Sequence, residues 1–310
     1  MWRYILKRIL LLIPVLLGVS FVIFFIMELT PGDPAELVAG VYATPEQIQE
    51  MRVKLELDKP AIVRYFNYVI RLFQGDLGTS YYSTDTVIDL FMVRFPATLA
   101  LSLSALLFAI IIAIPIGILS AVKQNSIFDN FGMALSLIGV SMPSFWLGLL
   151  LILAFSLNLK WFPSGGFTDW KSLILPAITL GSAASMASMT RMTRSAMLDA
   201  LSEDYVRTAR AEGFSERAVI MKHGLRNAMI PIITAFGLQF SAVMNGAILT
   251  ETVFSWPGVG RMIVDYVNKR DAPVVMGTVI LLTMFISVTN LIIDIVYAFV
   301  DPRIKAQYTK

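Results

Sequence analysis

From Ala97 to Ala121 no residue carries a charge, and the same is true from Ile9 to Met27. Runs of that length commit a chain to a lipid bilayer. An α-helix crosses the hydrocarbon layer with about 20 apolar residues, and inside that layer only a helix or a closed barrel satisfies every backbone N–H and C=O. Measured against that length, the sequence offers six candidate spans, near residues 9–29, 97–121, 131–157, 173–194, 228–250 and 274–300. The composition agrees: 56% of the residues are hydrophobic and 15% are charged, where a soluble protein carries about 25% charged residues. A water-soluble enzyme and a disordered chain are both excluded. The expected fold is an all-α integral membrane protein with six transmembrane helices and a small extracytoplasmic helical insertion.

Four regions follow from the spans: a tail and first helix (1–29), an extracytoplasmic helical segment (30–96), a five-helix core (97–300) with a cytoplasmic loop at 199–226, and a tail (301–310). Arg3, Lys7 and Arg8 precede the first span, whose apolar run is longer than that of a signal peptide and lacks a small-residue cleavage site, so it reads as an uncleaved anchor. Lys123, the basic cluster from Arg191 to Arg226, and Arg303, Lys305 and Lys310 then fall on one side, which the positive-inside rule makes cytoplasmic. Both termini are expected there.

Spans four and five are less apolar. The fourth carries the small and hydroxyl residues of 181–188 and the fifth carries Pro231 and Gln239, so both belong inside a bundle. Ser185, Met186 and Met189 are the candidates to line a pathway or face a partner, the methionines also being suited to fill gaps in the packing. Pro143 and Pro231 are expected to kink spans three and five. Asp294, inside the last span, is an intramembrane acid at about the depth of Arg191 and Arg194, and a structural ion pair with one of them is expected.

Two polar stretches carry the remaining signals. In 30–96, Thr44-Pro45-Glu46-Gln47 has the form of a helix start with a capping box, and a second helix from Pro60 shows the stripe Ile62, Tyr65, Phe66, Val69 and Phe73 before Gly75. In 199–231, Ser202 reads as an N-cap, the helix after it should stop at Gly213, and Ser215 should cap the next. A basic amphipathic loop of this kind also suits a bilayer surface. There is no cysteine and one histidine, His223, so disulfides, thiolate catalysis and any site needing two imidazoles are excluded and no metal site is expected. No G-x-x-x-x-G-K-[ST] run is present.

The second stretch resembles a known family. Ala209-Arg210-Ala211-Glu212-Gly213, His223-Gly224-Leu225-Arg226-Asn227-Ala228 and Pro231 resemble the cytoplasmic "EAA" loop of binding-protein-dependent ABC importer permeases. Thr208-Ala209-Arg210-Ala211 stands where the general pattern has Glu-Ala-Ala, which is similar to the dipeptide/oligopeptide/nickel branch. Pro31-Gly32-Asp33-Pro34, Gly75-Asp76-Leu77-Gly78, Phe254-Ser255-Trp256-Pro257-Gly258-Val259-Gly260, Arg270-Asp271-Ala272-Pro273 and Asp301-Pro302-Arg303 match the same branch in order and spacing.

The resemblance implies a type I ABC importer permease fold and a non-catalytic subunit. It implies a second, similar permease subunit as partner, two ATP-binding subunits below and an extracytoplasmic solute-binding protein above. ATP and magnesium would be bound by the ATPases, this chain would hold no cofactor, and nucleic acid would have no part. Residues Arg207, Ala209, Arg210, Ala211, Glu212, Gly213, Phe214 and Ser215 would form the coupling loop. Arg261, Asp265, Lys269, Arg270 and Asp271 would present charge to the binding protein. The setting would be the bacterial inner membrane. The cargo is expected to be a di- or oligopeptide, with glutathione and a nickel or metal chelate as alternatives. An ion-coupled secondary transporter is the reading from another class; it calls for midplane ionisable residues and internal repeats.

Overall fold

A computed structural model describes residues 2–300. The helices are α1 (Trp2–Leu29), α2 (Pro34–Ala39), α3 (Pro45–Lys54), α4 (Ala61–Phe73), α5 (Val87–Val122), α6 (Ile127–Ser141), α7 (Ser144–Leu151), α8 (Ile174–Gly181), α9 (Ala187–Ser202), α10 (Asp204–Ala211), α11 (Glu216–Ala218), α12 (Leu225–Val253), α13 (Val259–Asn268) and α14 (Ala272–Val300). Wider π-type turns at Ile152–Asn158, Ser182–Met186 and Val219–Gly224 join α7 to its exit, α8 to α9, and α11 to α12. The tail at 301–310, with Arg303, Lys305, Lys310 and the Asp301-Pro302-Arg303 match, lies outside the described residues.

Three helical stretches are individually long and apolar enough to cross a bilayer: Ile5–Leu29, Val87–Val122 and Ala272–Val296. Two more are bent pairs. Ile127–Gly139 and Ser144–Asn158 meet at 100°, with Pro143 capping the second piece, and Glu216–Ile233 and Ala235–Val253 meet at 42°, a few residues after Pro231. Both breaks fall beside the prolines, which remove a backbone donor and crowd the preceding turn. The fourth expected span is helical from Ile174 to Ser202, but its hydroxyls and arginines keep it below the apolarity of a span that faces lipid. It takes its place by packing against α12, α6 and α7.

The chain forms two compact units. The first comprises Met1–Pro96 and Gly258–Leu291, so α13 and most of α14 group with the N-terminal segment rather than with the core the sequence suggests. Its centre is a cluster of Phe24, Tyr65, Phe91, Met262, Val274 and Ile280 with their neighbours. The capping box is as expected: Gln47 N–H donates to Thr44 Oγ1 and Thr44 N–H to Gln47 Oε1. In α4 the stripe is rotated. Tyr65 and Tyr68 are buried, while Ile62, Phe66 and Phe73 are exposed. Asp271 also departs from expectation. It is fully buried, accepts from Ser80 Oγ at 2.5 Å, from the Tyr81 N–H at 3.0 Å and from the Val274 N–H at 3.3 Å, and so caps α14 instead of presenting charge outward. Burial pushes its carboxyl above the ordinary range against the pull of these hydrogen bonds, Ser80's foremost.

The second unit contains Ala97–Pro257 and the residues from Ile292. Its helices approach closely because small residues sit at the crossings. A Cβ on Gly181 would lie 2.4 Å from the Ala105 carbonyl oxygen, and one on Gly117 would lie 2.6 Å from Thr193 Cβ. Trp256 is buried and anchors the start of the core by donating Nε1–H to the Ala97 carbonyl at 2.9 Å. Nearby, the fully buried Glu251 accepts from Thr98 Oγ1 at 2.6 Å.

Candidate functional site

The corner at 203–216 is built by backbone hydrogen bonds that need a glycine. Helix α10 ends with the Phe214 N–H donating to the Ala209 carbonyl at 3.3 Å and the Gly213 N–H donating to the Arg210 carbonyl at 3.1 Å. This nested pair is a Schellman motif, and it places Gly213 at φ 85°, the left-handed region where a side chain is strained. Ser215 then caps the next helix, accepting from the Ala218 N–H at 3.4 Å. That helix does not stop. It continues through the π turn into α12, so the corner is joined directly to the fifth span.

The corner has a small core of its own. Val206 and Ala209 of α10 bury against Val219 and Leu201. The outer surface closes with a bidentate pair: Arg210 Nη2 donates to Glu216 Oε1 at 2.7 Å and Nε donates to Oε2 at 3.2 Å. Both side chains are largely exposed, so the pair adds little stability. Its effect is geometric, since it ties the end of one helix to the start of the next. Of the expected coupling residues, Arg207, Arg210, Ala211, Glu212, Gly213, Phe214 and Ser215 are exposed and Ala209 is the inward anchor. Phe214 packs on the His223 ring at 5.2 Å between centroids. Ser202 is not the N-cap. It ends α9 and bonds back to Asp199, while Glu203 takes the cap position without a side-chain bond.

Beside the corner lies an open cavity of about 660 Å³. One wall is Arg210 and Glu216, and the opposite wall is the turn after α5, with Lys123, Gln124 and Phe128. The turn is fixed by a second bidentate pair. Arg194 donates Nε–H to Asp129 Oδ1 and Nη2–H to Oδ2, both at 2.7 Å, and the Asn125 N–H donates to Asp129 at 2.9 Å. Asp129 is 4% exposed and Arg194 23%. The expected pairing of Asp294 with Arg194 is therefore replaced by Asp129, the acid of the short turn, while Arg191 is exposed. The signal was present as Ser126-x-x-Asp129, a helix start that places an acid in its first turn. The expected pathway residues Ser185, Met186 and Met189 are 1%, 8% and 1% exposed; they pack inside this chain's own bundle and face no open space.

A helical bundle of bent spans that presents a helix–glycine–helix corner has the form of a membrane-transport subunit. Residues 113–306 match the family described as "binding-protein-dependent transport system inner membrane component", and residues 1–102 match its N-terminal companion. The chain belongs to this family: it is a multi-pass inner-membrane permease subunit of a binding-protein-dependent ABC importer, of the peptide/nickel type, and is itself non-catalytic. It is 45% identical over 305 residues to the glutathione transport system permease protein GsiC of Salmonella typhimurium, covering 98% of this chain and 99% of that one. The Escherichia coli (strain K12) protein of the same name is 44% identical over the same shares. The inward-facing MetNI methionine ABC transporter shares the fold, with a TM-score of 0.58 at 20% identity over 69% of this chain and 97% of that one.

Proposed function

We propose that this chain forms half of the translocation pathway of an ATP-driven importer of small peptides, with glutathione as the favoured cargo. Similarity of 45% over 98% of the chain to permeases named for glutathione transport supports that cargo over a metal chelate. The other half of the pathway is a second, homologous permease subunit. Two ATPase subunits bind ATP and magnesium and grip the corner at 203–216, and a solute-binding protein delivers cargo from outside. Both termini lie in the cytoplasm.

The observation that carries the mechanism is the corner's construction. Its backbone is locked by the Schellman bonds, its interior by Val206, Ala209 and Val219, and its distal helix runs unbroken into α12. A push on Glu212 and its neighbours is passed to the fifth span as a rigid displacement. The test is reconstitution of the full assembly in vesicles with ATP inside and labelled solute outside. Glutathione uptake is expected to exceed that of dipeptides and of nickel chelate. Replacing Gly213 with Val is expected to cut ATP-driven uptake about tenfold or more while membrane insertion and basal ATP hydrolysis persist. Normal uptake in that variant would refute the coupling role, and uptake of nickel chelate alone would refute the cargo.

A further inference from the structure

Helix α4 is apolar on two sides, and only one of them is covered. Each residue of a helix is turned about 100° from the last. Tyr65, Tyr68, Val69 and Leu72 therefore share one arc, and they pack in the core of the first unit. Ile62, Val63, Phe66, Ile70 and Phe73 share a second arc and are 42–67% exposed. The remaining side carries Arg64, Asn67, Arg71 and Gln74. A single exposed hydrophobic residue needs no explanation, but five on one arc of a 13-residue helix make a contiguous apolar face.

The packing of α4 on α1 gives the depth of that face. The uncharged run Ile9–Met27 is about 28 Å long, close to the roughly 30 Å of the hydrocarbon layer, so Met27 and Glu28 mark one boundary of the layer. The Tyr65 ring lies 5.4 Å from Phe24 and 5.5 Å from Phe21 between centroids. Those residues are about 4–9 Å inside Met27 along the helix axis. From that level Tyr65 points deeper, its hydroxyl donating to the Leu17 carbonyl at 3.2 Å. Arg64, one residue earlier, reaches the other way and pairs with Glu28 at the boundary. The polar side of α4 thus turns toward water. The helix lies at the depth where amphipathic helices bury their apolar face, about 5–10 Å into the interface.

We propose that α4 is an in-plane helix of the outer leaflet, with the face of Ile62, Phe66, Ile70 and Phe73 seated among lipid acyl chains and the side of Asn67, Arg71 and Gln74 at the headgroups. The leaflet, though not the depth, rests on the orientation proposed above, with both termini in the cytoplasm. A protein docking from outside would meet the polar side first and leave the apolar arc uncovered, whereas acyl chains are present at that depth. The segment 30–96 is then held to the bilayer along its own length and not only through the spans at its two ends.

The chain contains no cysteine, so one introduced cysteine carries a nitroxide label at one known place. The full chain is labelled at successive exposed positions of α4 and reconstituted in phosphatidylcholine/phosphatidylglycerol vesicles, alone and in its assembly with cysteine-free partner subunits. Paramagnetic resonance then reads collisions with oxygen, which concentrates in lipid, and with chromium oxalate, which stays in water. Oxygen collisions are expected to peak at 62, 66, 70 and 73 and chromium collisions at 67, 71 and 74, both repeating about every 3.6 residues and out of step by about a third of a turn. Phe66→Cys should read about 5–10 Å below the headgroups, close to the exposed Val22→Cys of α1. Tyr42→Cys, fully exposed outside α4, should read as water. Chromium collisions at 66 and 70 equal to those at Tyr42→Cys would overturn the proposal. So would loss of both kinds of collision at 66 and 70 on assembly, which would make the face a protein interface. An impermeant maleimide added outside intact cells should label Tyr42→Cys. Protection there with the depth profile intact would refute the orientation and the leaflet alone, whereas labelling there with a water-like profile at 66 and 70 would refute the lipid seat alone.

Discussion

Asp271 shows how one side chain reports its burial. It caps α14 and holds the 80–82 turn through three hydrogen bonds, yet its carboxyl is pushed upward because burial outweighs them. Its charged form is thus less favoured in the folded protein than in the unfolded chain. Its contribution to stability is complete below the ordinary carboxylate range and is lost as pH rises through the raised value. Asp271→Asn should flatten the fall in melting temperature over that acidic window, measured by differential scanning fluorimetry in detergent at stepped pH. An unchanged slope would assign the fall to another group. Tyr81 beside it is pushed up to about 12, first by burial and then by the Asp271 charge, so it stays neutral throughout that window.

At the level of elements, the Asp129–Arg194 pair is the joint that fixes the turn after α5 to α9. Removing one partner of a half-buried pair strands the other charge in partial contact with water. Asp129→Ala should cost about 1–2 kcal/mol and lower Tm by a few degrees, and the Asp129→Ala/Arg194→Ala double variant should lose less than the sum of the two single ones. Additive losses in that cycle would show that the two side chains do not act together. The same elements show what the sequence could disclose. Helix starts at Thr44 and Ser215, the stop at Gly213 and the proline breaks were legible because each depends on local chemistry: a capping oxygen, a left-handed backbone, a missing N–H. The rotation of α4 and the choice of Asp129 over Asp294 were not, because each depends on which helix packs alongside. An α4 that is apolar on two faces has no single stripe to read.

For the whole molecule, the family and its motor-driven logic were legible in the order of short motifs, while the grouping of α13 and α14 with the N-terminal segment was set by tertiary packing alone. The chain purified by itself into vesicles is expected to move no solute, with or without ATP. ATP-independent uptake by this single polypeptide would contradict the assignment. The unbroken run from Glu216 to Ile233 has one more consequence. Those residues make a rod about 27 Å long with its handle at the corner and its free end at the 42° bend. A swing of about 5° at the handle carries the far end sideways by about 2 Å over that length. If a partner grips the corner as proposed, a stroke too small to unpack its miniature core is enough to shift the bend of the fifth helix by more than the radius of an atom.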